Sequence, residues 1–423
     1  MKFGHAFKEA LQGDSYPQHW VETAIPYRQL KKVLGEVREE LIRKGYDPDT
    51  IHRLLADHNA EYILKAGDSR FLKPKLVVRP VPDLSQNILA SLKELAESAP
   101  SLVDKENESA ALNPDGDQQR DSGWVKIPLN ADAQFFDILQ TDVDKLDELQ
   151  SQEQKSMNSE IALLGDEIAG VAKPNAKFIK FSKTDLYRWR EIFEIYLAAQ
   201  IFFSTTEVNS GARCSEKARK QLVWFQDEVN KRELPHKFKL ESSAAAYSRF
   251  MALNATLLQN LQFQELNQTA IVKIIKKFDK QTSLGVKSIF PEAMTSASFI
   301  ADNVAKGICA QLSQEVVTLV PQTVDYTCSI CLSICWLPIR LHCNHLFCIR
   351  CVVKMQNRNK RTCPLCRANT VLRATTDNID DNLVNFLEKW FPKETKEKQL
   401  YNEIERGKEL FGEGYVHQPC IIM

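Results

Sequence analysis

The sequence predicts a mostly α-helical protein: an N-terminal helical bundle, then a small zinc-bound module, then a helical tail. Two observations predict this. Apolar residues recur at helical spacing from near the N-terminus to about residue 280, and strand signals are nearly absent over the first 290 residues. Between Cys328 and Cys366, seven cysteines and one histidine fall in the order Cys-x2-Cys, Cys-x-His-x2-Cys-x2-Cys, Cys-x2-Cys. Eight such donors are what two closed tetrahedral zinc sites require, at four Cys or His ligands each.

Taken in order, residues 1–65 read as helices with a turn between them. Tyr27, Leu30, Val33, Leu34, Val37 and Leu41 recur at helical spacing, and a Gly-Tyr-Asp-Pro turn closes that helix near Gly45. Residues from about 68 to 126 carry breaks at Pro74, Pro80 and Pro82, then the polar tract DKENESAALNPDGDQQRDSG. Such a composition buries too little apolar surface to order itself, so this stretch is expected to be a flexible insertion. A second helical pattern begins at Phe135, with Leu139, Val143, Leu146 and Leu149 on one face. Helices are expected at roughly 184–204 and 213–232, and a long one at 240–280. Residues 291–325 read as a linker with room for one helix, 326–370 as the zinc module and 371–423 as a helical tail. In that tail Asp381 to Trp390 is helical, Pro392 breaks the pattern, and a charged segment runs to Phe411.

A chain of 423 residues has room for two or three domains. The formal net charge is zero, so any anion-binding role must come from a local patch. The N-terminal MKFGHAFKEA lacks the apolar core of a secretory signal. The longest apolar run, Ile192 to Phe203, is interrupted by Glu194 and is too short to cross a bilayer. Cysteines committed to metal suit a reducing compartment, and a cytoplasmic protein is expected.

The segment IVKIIKKFDK places Lys273, Lys276, Lys277 and Lys280 at i, i+3, i+4 and i+7. Ile271, Ile274, Ile275 and Phe278 fall on the opposite side of the same helix. Like charges one turn apart destabilise a helix by about 0.2–0.5 kcal/mol per pair, and a bound anion would relieve this. A solvated lysine face is the alternative. Nucleic acid is not expected as the anion, because the chain lacks net positive charge and interleaved aromatics.

The short Cys-x-His pair, and the eleven-residue gaps on either side of the central cluster, resemble a RING finger. A row of consecutive finger units would instead show a helix ending in His-x3-5-His, which is absent. The resemblance implies a small α+β cross-brace with interleaved ligation. Cys328, Cys331, Cys348 and Cys351 would hold one zinc ion, and Cys343, His345, Cys363 and Cys366 the other. Cys335 and His342 fall outside the pattern and are read as spectators. The resemblance further implies a ubiquitin ligase without a covalent nucleophile, which orients a charged ubiquitin-conjugating enzyme toward a substrate lysine. Ile330, Met355 and Pro364 match positions that contact the conjugating enzyme, and Arg367 matches the basic residue that bridges it to ubiquitin. A purely structural zinc module in a non-catalytic adaptor is the alternative.

Residues MKFG, the pattern W-x6-Y-x2-LKK (Trp20, Tyr27, Leu30, Lys31, Lys32), FFDILQTDVDKLDEL and ELNQTAIVKIIKKFDK together resemble the SPX domain over about 1–290. That resemblance implies a helical bundle that binds inositol polyphosphates or pyrophosphates and reports phosphate status. Tyr27, Lys31 and Lys277 match the family's phosphate-binding cluster. Lys273, Lys276 and Lys280 match its lysine surface, and Lys2 a basic position at the N-terminus. His5 stands where many members have lysine. An SPX domain followed by a RING is similar to the SPX–RING ubiquitin ligases of fungi and plants, which implies substrates among phosphate transporters or phosphate-signalling proteins.

The sequence ends Cys420-Ile421-Ile422-Met423, a C-a-a-X pattern whose Met favours farnesyl transfer to Cys420. No polybasic run or second cysteine precedes it, so one lipid chain would give only weak, reversible membrane association.

Overall fold

A computed structural model describes residues 3–13, 16–66, 72–81, 88–90, 92–94, 124–172, 184–204, 211–293 and 303–416. Lys2 and Cys420 lie outside the described residues. The chain divides into two compact units that do not follow chain order. The first comprises Met1–Glu160, Phe202–Arg219 and Ala252–Ala310; the second comprises Ile161–Ile201, Lys220–Met251 and Gln311–Met423. Residues 161–201 and 220–251, which the sequence groups with the N-terminal bundle, therefore cluster with the zinc module.

The first unit begins with α1 (Phe3–Gly13), α2 (Gln18–Thr23), α3 (Tyr27–Arg43) and α4 (Pro48–Ala56). α3 buries the residues its periodicity singles out, from Tyr27 through Leu41. Gly45 takes a positive φ of 88°, and the Tyr46 N–H bonds the Leu41 carbonyl at 2.9 Å, closing the helix end. Asp47 then caps α4 by accepting from the Thr50 N–H at 2.7 Å, with Pro48 in the first turn.

Strands follow where the sequence shows almost none. β1 (Ala60–Ala66), β2 (Leu72–Val78) and β3 (Val125–Ile127) form an antiparallel sheet in the order β1-β2-β3. β1 lies against α4 and α9 (Val286–Ala293). The expectation of a flexible insertion over 68–126 is thus corrected at its two ends, which are paired strands. The polar tract between them lies outside the described residues. Alternation explains the ends: Leu72, Leu76 and Val78 are buried, as are Val125 and Ile127. Pro74 pairs with Leu64, beyond the three β2 residues that β3 reaches. A missing N–H facing that open side breaks no ladder bond.

Two 42-residue helices, α5 (Ala131–Ala172) and α8 (Glu241–Thr282), contribute to both units. In the first unit the aromatic core joins Phe135 and Phe136 of α5 to Phe278 of α8. Asn267 of α8 is fully buried, and its carboxamide oxygen accepts from the Ile25 N–H at 2.9 Å, fixing the turn that launches α3.

The second unit contains α6 (Leu186–Ala199), the end of α7 (Ser215–Lys231) and the start of α8, packed through Trp189, Phe193, Phe225 and Phe250. A short pair of strands, β4 (Phe203–Ser204) and β5 (Gly211–Ala212), belongs to the first unit. Helix α10 (Asn303–Glu315) occupies the expected linker. The zinc module holds the hairpin β6 (Pro338–Arg340) and β7 (Leu346–Cys348), then α11 (Ile349–Asn357). Beyond it run α12 (Asp381–Trp390) and α13 (Pro392–Phe411). Pro392 ends one helix by starting the next: it sits in the first turn of α13, where a missing N–H costs nothing.

Candidate functional site

Two knuckles in the second unit carry half of the metal donors. In the first, the Cys328 N–H bonds the Ser333 carbonyl at 2.9 Å and the Leu332 N–H bonds the Cys328 carbonyl at 2.8 Å. In the second, the Cys363 N–H bonds the Ala368 carbonyl at 2.8 Å and the Arg367 N–H bonds the Cys363 carbonyl at 2.8 Å. The residue after each second cysteine is left-handed, Leu332 at φ 53° and Arg367 at φ 63°. Both Cys-x2-Cys segments therefore fold alike and turn their sulfurs to one side. The hairpin and α11 bring the other donors: Cys348 ends β7 and caps α11, placing Cys351 in its first turn.

The eight donors fall into two groups, Cys328, Cys331, Cys348 and Cys351, and Cys343, His345, Cys363 and Cys366. Within each group the ligating atoms all lie within 4.8 Å of one another. The grouping is interleaved along the chain, as the RING resemblance implies. A zinc–sulfur bond of about 2.3 Å makes the edge of a tetrahedron about 3.8 Å long. Cys331 Sγ and Cys348 Sγ stand 3.7 Å apart, and His345 Nδ1 stands 3.4 Å from Cys343 Sγ. The two clusters therefore fit a RING with two zinc ions, each site closed by four protein ligands.

The surroundings of these donors were not legible in the sequence. Cys335, a spectator by its spacing, is indeed outside both ligand sets, but it is buried against the first. A hydrogen bond with the Cys328 sulfur, then burial, holds the Cys335 thiol well above its ordinary range, so it stays a donor. The same contact is the leading cause that draws Cys328 down toward the thiolate. The Ser333 hydroxyl lies 3.2 Å from Cys331 Sγ, and Thr370 Oγ1 lies 3.5 Å from Cys343 Sγ. From α13, Lys398 Nζ donates to Cys331 Sγ at 3.5 Å.

Around the knuckles, Ile330 is 41% exposed, Leu332 80% and Leu365 56%. Pro364 and Arg367 are exposed as well. Met355 is different: at 7% exposure it packs into the core of the module with Phe347, Val352 and Val371. It supports a surface from beneath rather than forming it.

The first unit presents a separate cleft of about 790 Å³ between α1 and the start of α3. Tyr27 and Lys31 line it, together with Lys8, Arg28 and Lys32. Gly4 eases the close approach, since an added Cβ would meet the Tyr27 ring at 3.3 Å and push it by a few tenths of an ångström. Phe3 packs edge-on to that ring at 5.0 Å, and burial raises the Tyr27 hydroxyl pKa, keeping it a donor. The α8 lysines do not line this cleft. Lys273, Lys276 and Lys280 are exposed and Lys277 is half-buried, while Ile271, Ile274, Ile275 and Phe278 are buried behind them. His5 is exposed and pairs with Glu9 at 3.1 Å. Lys8 and Arg28 escaped the sequence reading because single basic residues carry no periodic signal.

An N-terminal helical unit with a basic cleft, joined to a two-site Cys/His module, defines an SPX–RING class of protein. The chain belongs to the SPX family: the SPX domain model matches residues 1–294, and a zinc finger of C3HC4 type (RING finger) matches residues 328–366. It is similar along its whole length to "Transcriptional regulator of yeast form adherence 3" of Candida albicans, with 32% identity over 100% of both chains. An uncharacterized RING finger protein of Schizosaccharomyces pombe is 32% identical over 95% of this chain and 96% of its own. The human E3 ubiquitin-protein ligase RNF125 is 42% identical over 44 residues, which is 10% of this chain and 19% of the ligase. No solved structure matches the chain. No helix among the described residues is long and apolar enough to cross a membrane.

Proposed function

We propose that this chain is a RING-type ubiquitin ligase that transfers ubiquitin from a conjugating enzyme to substrate lysines. The observation that carries this reading is the exposed apolar set Ile330, Leu332, Pro364 and Leu365 on two equivalent zinc knuckles, beside Arg367. When bound, the two zinc ions are structural and have no open position for hydrolysis. The protein's own work is orientation. Ile330 and the Pro364-Leu365 step would seat the conjugating enzyme, and the Arg367 guanidinium would bond to ubiquitin and restrain the thioester for attack. The similarity to a named ligase across the RING supports this.

The SPX half is the sensor in this reading. Tyr27 and Lys31, with Lys8, Arg28 and Lys32, offer one oriented hydroxyl and four cations for an inositol polyphosphate or pyrophosphate. The exposed lysines of α8 supply a second basic surface for the same anion class. Ligand occupancy would then bias ligation of proteins concerned with phosphate homeostasis. Calorimetry with inositol hexakisphosphate tests the sensor: Lys31→Ala should weaken binding at least tenfold, and undiminished affinity would remove the cleft as the site. For the ligase, chain formation with activating enzyme, conjugating enzyme and ubiquitin should depend on Ile330.

A further inference from the structure

Lys398 is 7% exposed, which is unusual for an ammonium group. It makes no ion pair with a carboxylate among the described residues. What surrounds it is instead a sulfur and a ring: Nζ lies 3.5 Å from Cys331 Sγ and 4.7 Å from the centroid of Tyr401. Cys331 is one of four sulfurs in the first cluster, and four thiolates around a divalent ion leave a net charge of about −2 in a partly dry site. A buried cation is stable where such excess charge compensates it.

Helix α13 is held so that Lys398 keeps this position. Thr395, one turn earlier, is buried and donates to the Phe391 carbonyl at 2.8 Å. Further along, Glu409 grips Arg350 of α11 at 2.7 Å and Lys354 at 3.6 Å. Glu405 also reaches Arg350, at 3.8 Å. The helix is thus latched on α11 by carboxylates, and its Lys398 ammonium reaches the metal cluster.

We propose that Lys398 is an outer-shell positioning residue of the first zinc site, which shields the Cys331 thiolate and makes the C-terminal helix part of that site. An N–H···S bond withdraws electron density from sulfur, so the thiolate holds its metal while attacking electrophiles and oxidants more slowly. At the second site an uncharged donor, the Thr370 hydroxyl, takes the comparable place at Cys343. The two sites therefore differ in their vulnerability to thiol reagents and to zinc loss. The inference is independent of ligase activity, since it concerns metal retention alone.

The test uses the full-length, zinc-loaded protein and the variants Lys398→Met and Lys398→Arg. Iodoacetamide, which carbamidomethylates sulfur with loss of iodide, is applied under native conditions, and each cysteine is followed by mass spectrometry. Lys398→Met should speed Cys331 modification about tenfold relative to Cys343 and Cys366, in line with other outer-shell losses. Zinc release to a colorimetric chelator should accelerate with it, and Lys398→Arg should restore most of the protection. Amide exchange in α13 should stay unchanged in both variants. The proposal is overturned if Cys331 reactivity does not change. It is equally overturned if all four sulfurs of the first cluster rise together with loss of α13 protection, because packing alone would then explain the lysine.

Discussion

Replacing Arg190 with methionine should destabilise the second unit by about 3–5 kcal/mol, the usual result of removing one partner from a buried charged network. The arginine side chain is 6% exposed. Its Nε donates to the Pro321 carbonyl at 2.9 Å and Nη2 to the Trp390 carbonyl at 2.7 Å. Nη1 reaches Glu394 at 3.4 Å, and the guanidinium lies 4.1 Å from the Phe391 ring centroid. Burial pulls its pKa below the ordinary arginine value, and the Glu394 charge works against that pull. Methionine would keep the stem's packing but take the donor from two carbonyls and leave the Glu394 carboxylate with the Tyr187 hydroxyl, and a cation–π contact of about 0.5–2 kcal/mol would be lost as well. At about 2–4 °C per kcal/mol for a unit of this size, the transition should fall by about 6–20 °C. Differential scanning calorimetry with Trp fluorescence reads this, because Trp189 and Trp390 lie beside the site. Arg190→Lys, which leaves a compact donor in place of the planar fork, should recover only part of the loss. A methionine variant within about 1 kcal/mol of the parent would refute the picture of a guanidinium knitting α6 to the α12–α13 corner.

Three further outcomes follow from other sites. Asp132 is 1% exposed and accepts from Tyr62 Oη at 3.1 Å, and burial pushes its pKa up to about 7. A carboxyl raised in the folded state binds its proton more tightly there than unfolded, so stability should fall as pH rises from about 4 to 7 and level off above. Asp132→Asn should remove that slope in urea titrations, and a slope left intact would assign it to other groups. Chelating zinc should unfold residues 326–370 while leaving the α3 amides protected, as amide exchange would show; protection retained in the zinc module would contradict a metal-dependent core. Glu40→Ala should cost about 1 kcal/mol, because its carboxylate accepts from the Asn130 and Ala131 N–H groups at the start of α5, and a neutral result would discount that cap.

The metal site was legible because ligand chemistry is written at fixed short spacings, and both Cys-x2-Cys segments close through the same backbone bonds. Its outer shell was not. Lys398 hides in the charged run KETKEKQ, where nothing marks one lysine as buried, and Cys335 looks like any cysteine outside a motif. The burial of α3 and the lysine stripe of α8 followed directly from helical periodicity. The sheet did not, because AEYILKA is built mostly of good helix formers and takes strand form through pairing with β2 and packing on α9. Periodicity also says nothing about which neighbour a long helix serves, so the sharing of α5 and α8 between two units was invisible. The place of Met355 in its helix suggests a contact residue, but its side chain packs in the module core.

As proposed, this RING orients a charged conjugating enzyme. Single-turnover discharge of ubiquitin from a panel of charged conjugating enzymes to free lysine measures that step without any substrate. The parent protein should accelerate discharge from at least one enzyme, and Ile330→Ala with Arg367→Ala should abolish the acceleration while zinc content stays at about two per chain. Discharge at the uncatalysed rate across the panel, or full activity in the double variant, would contradict it.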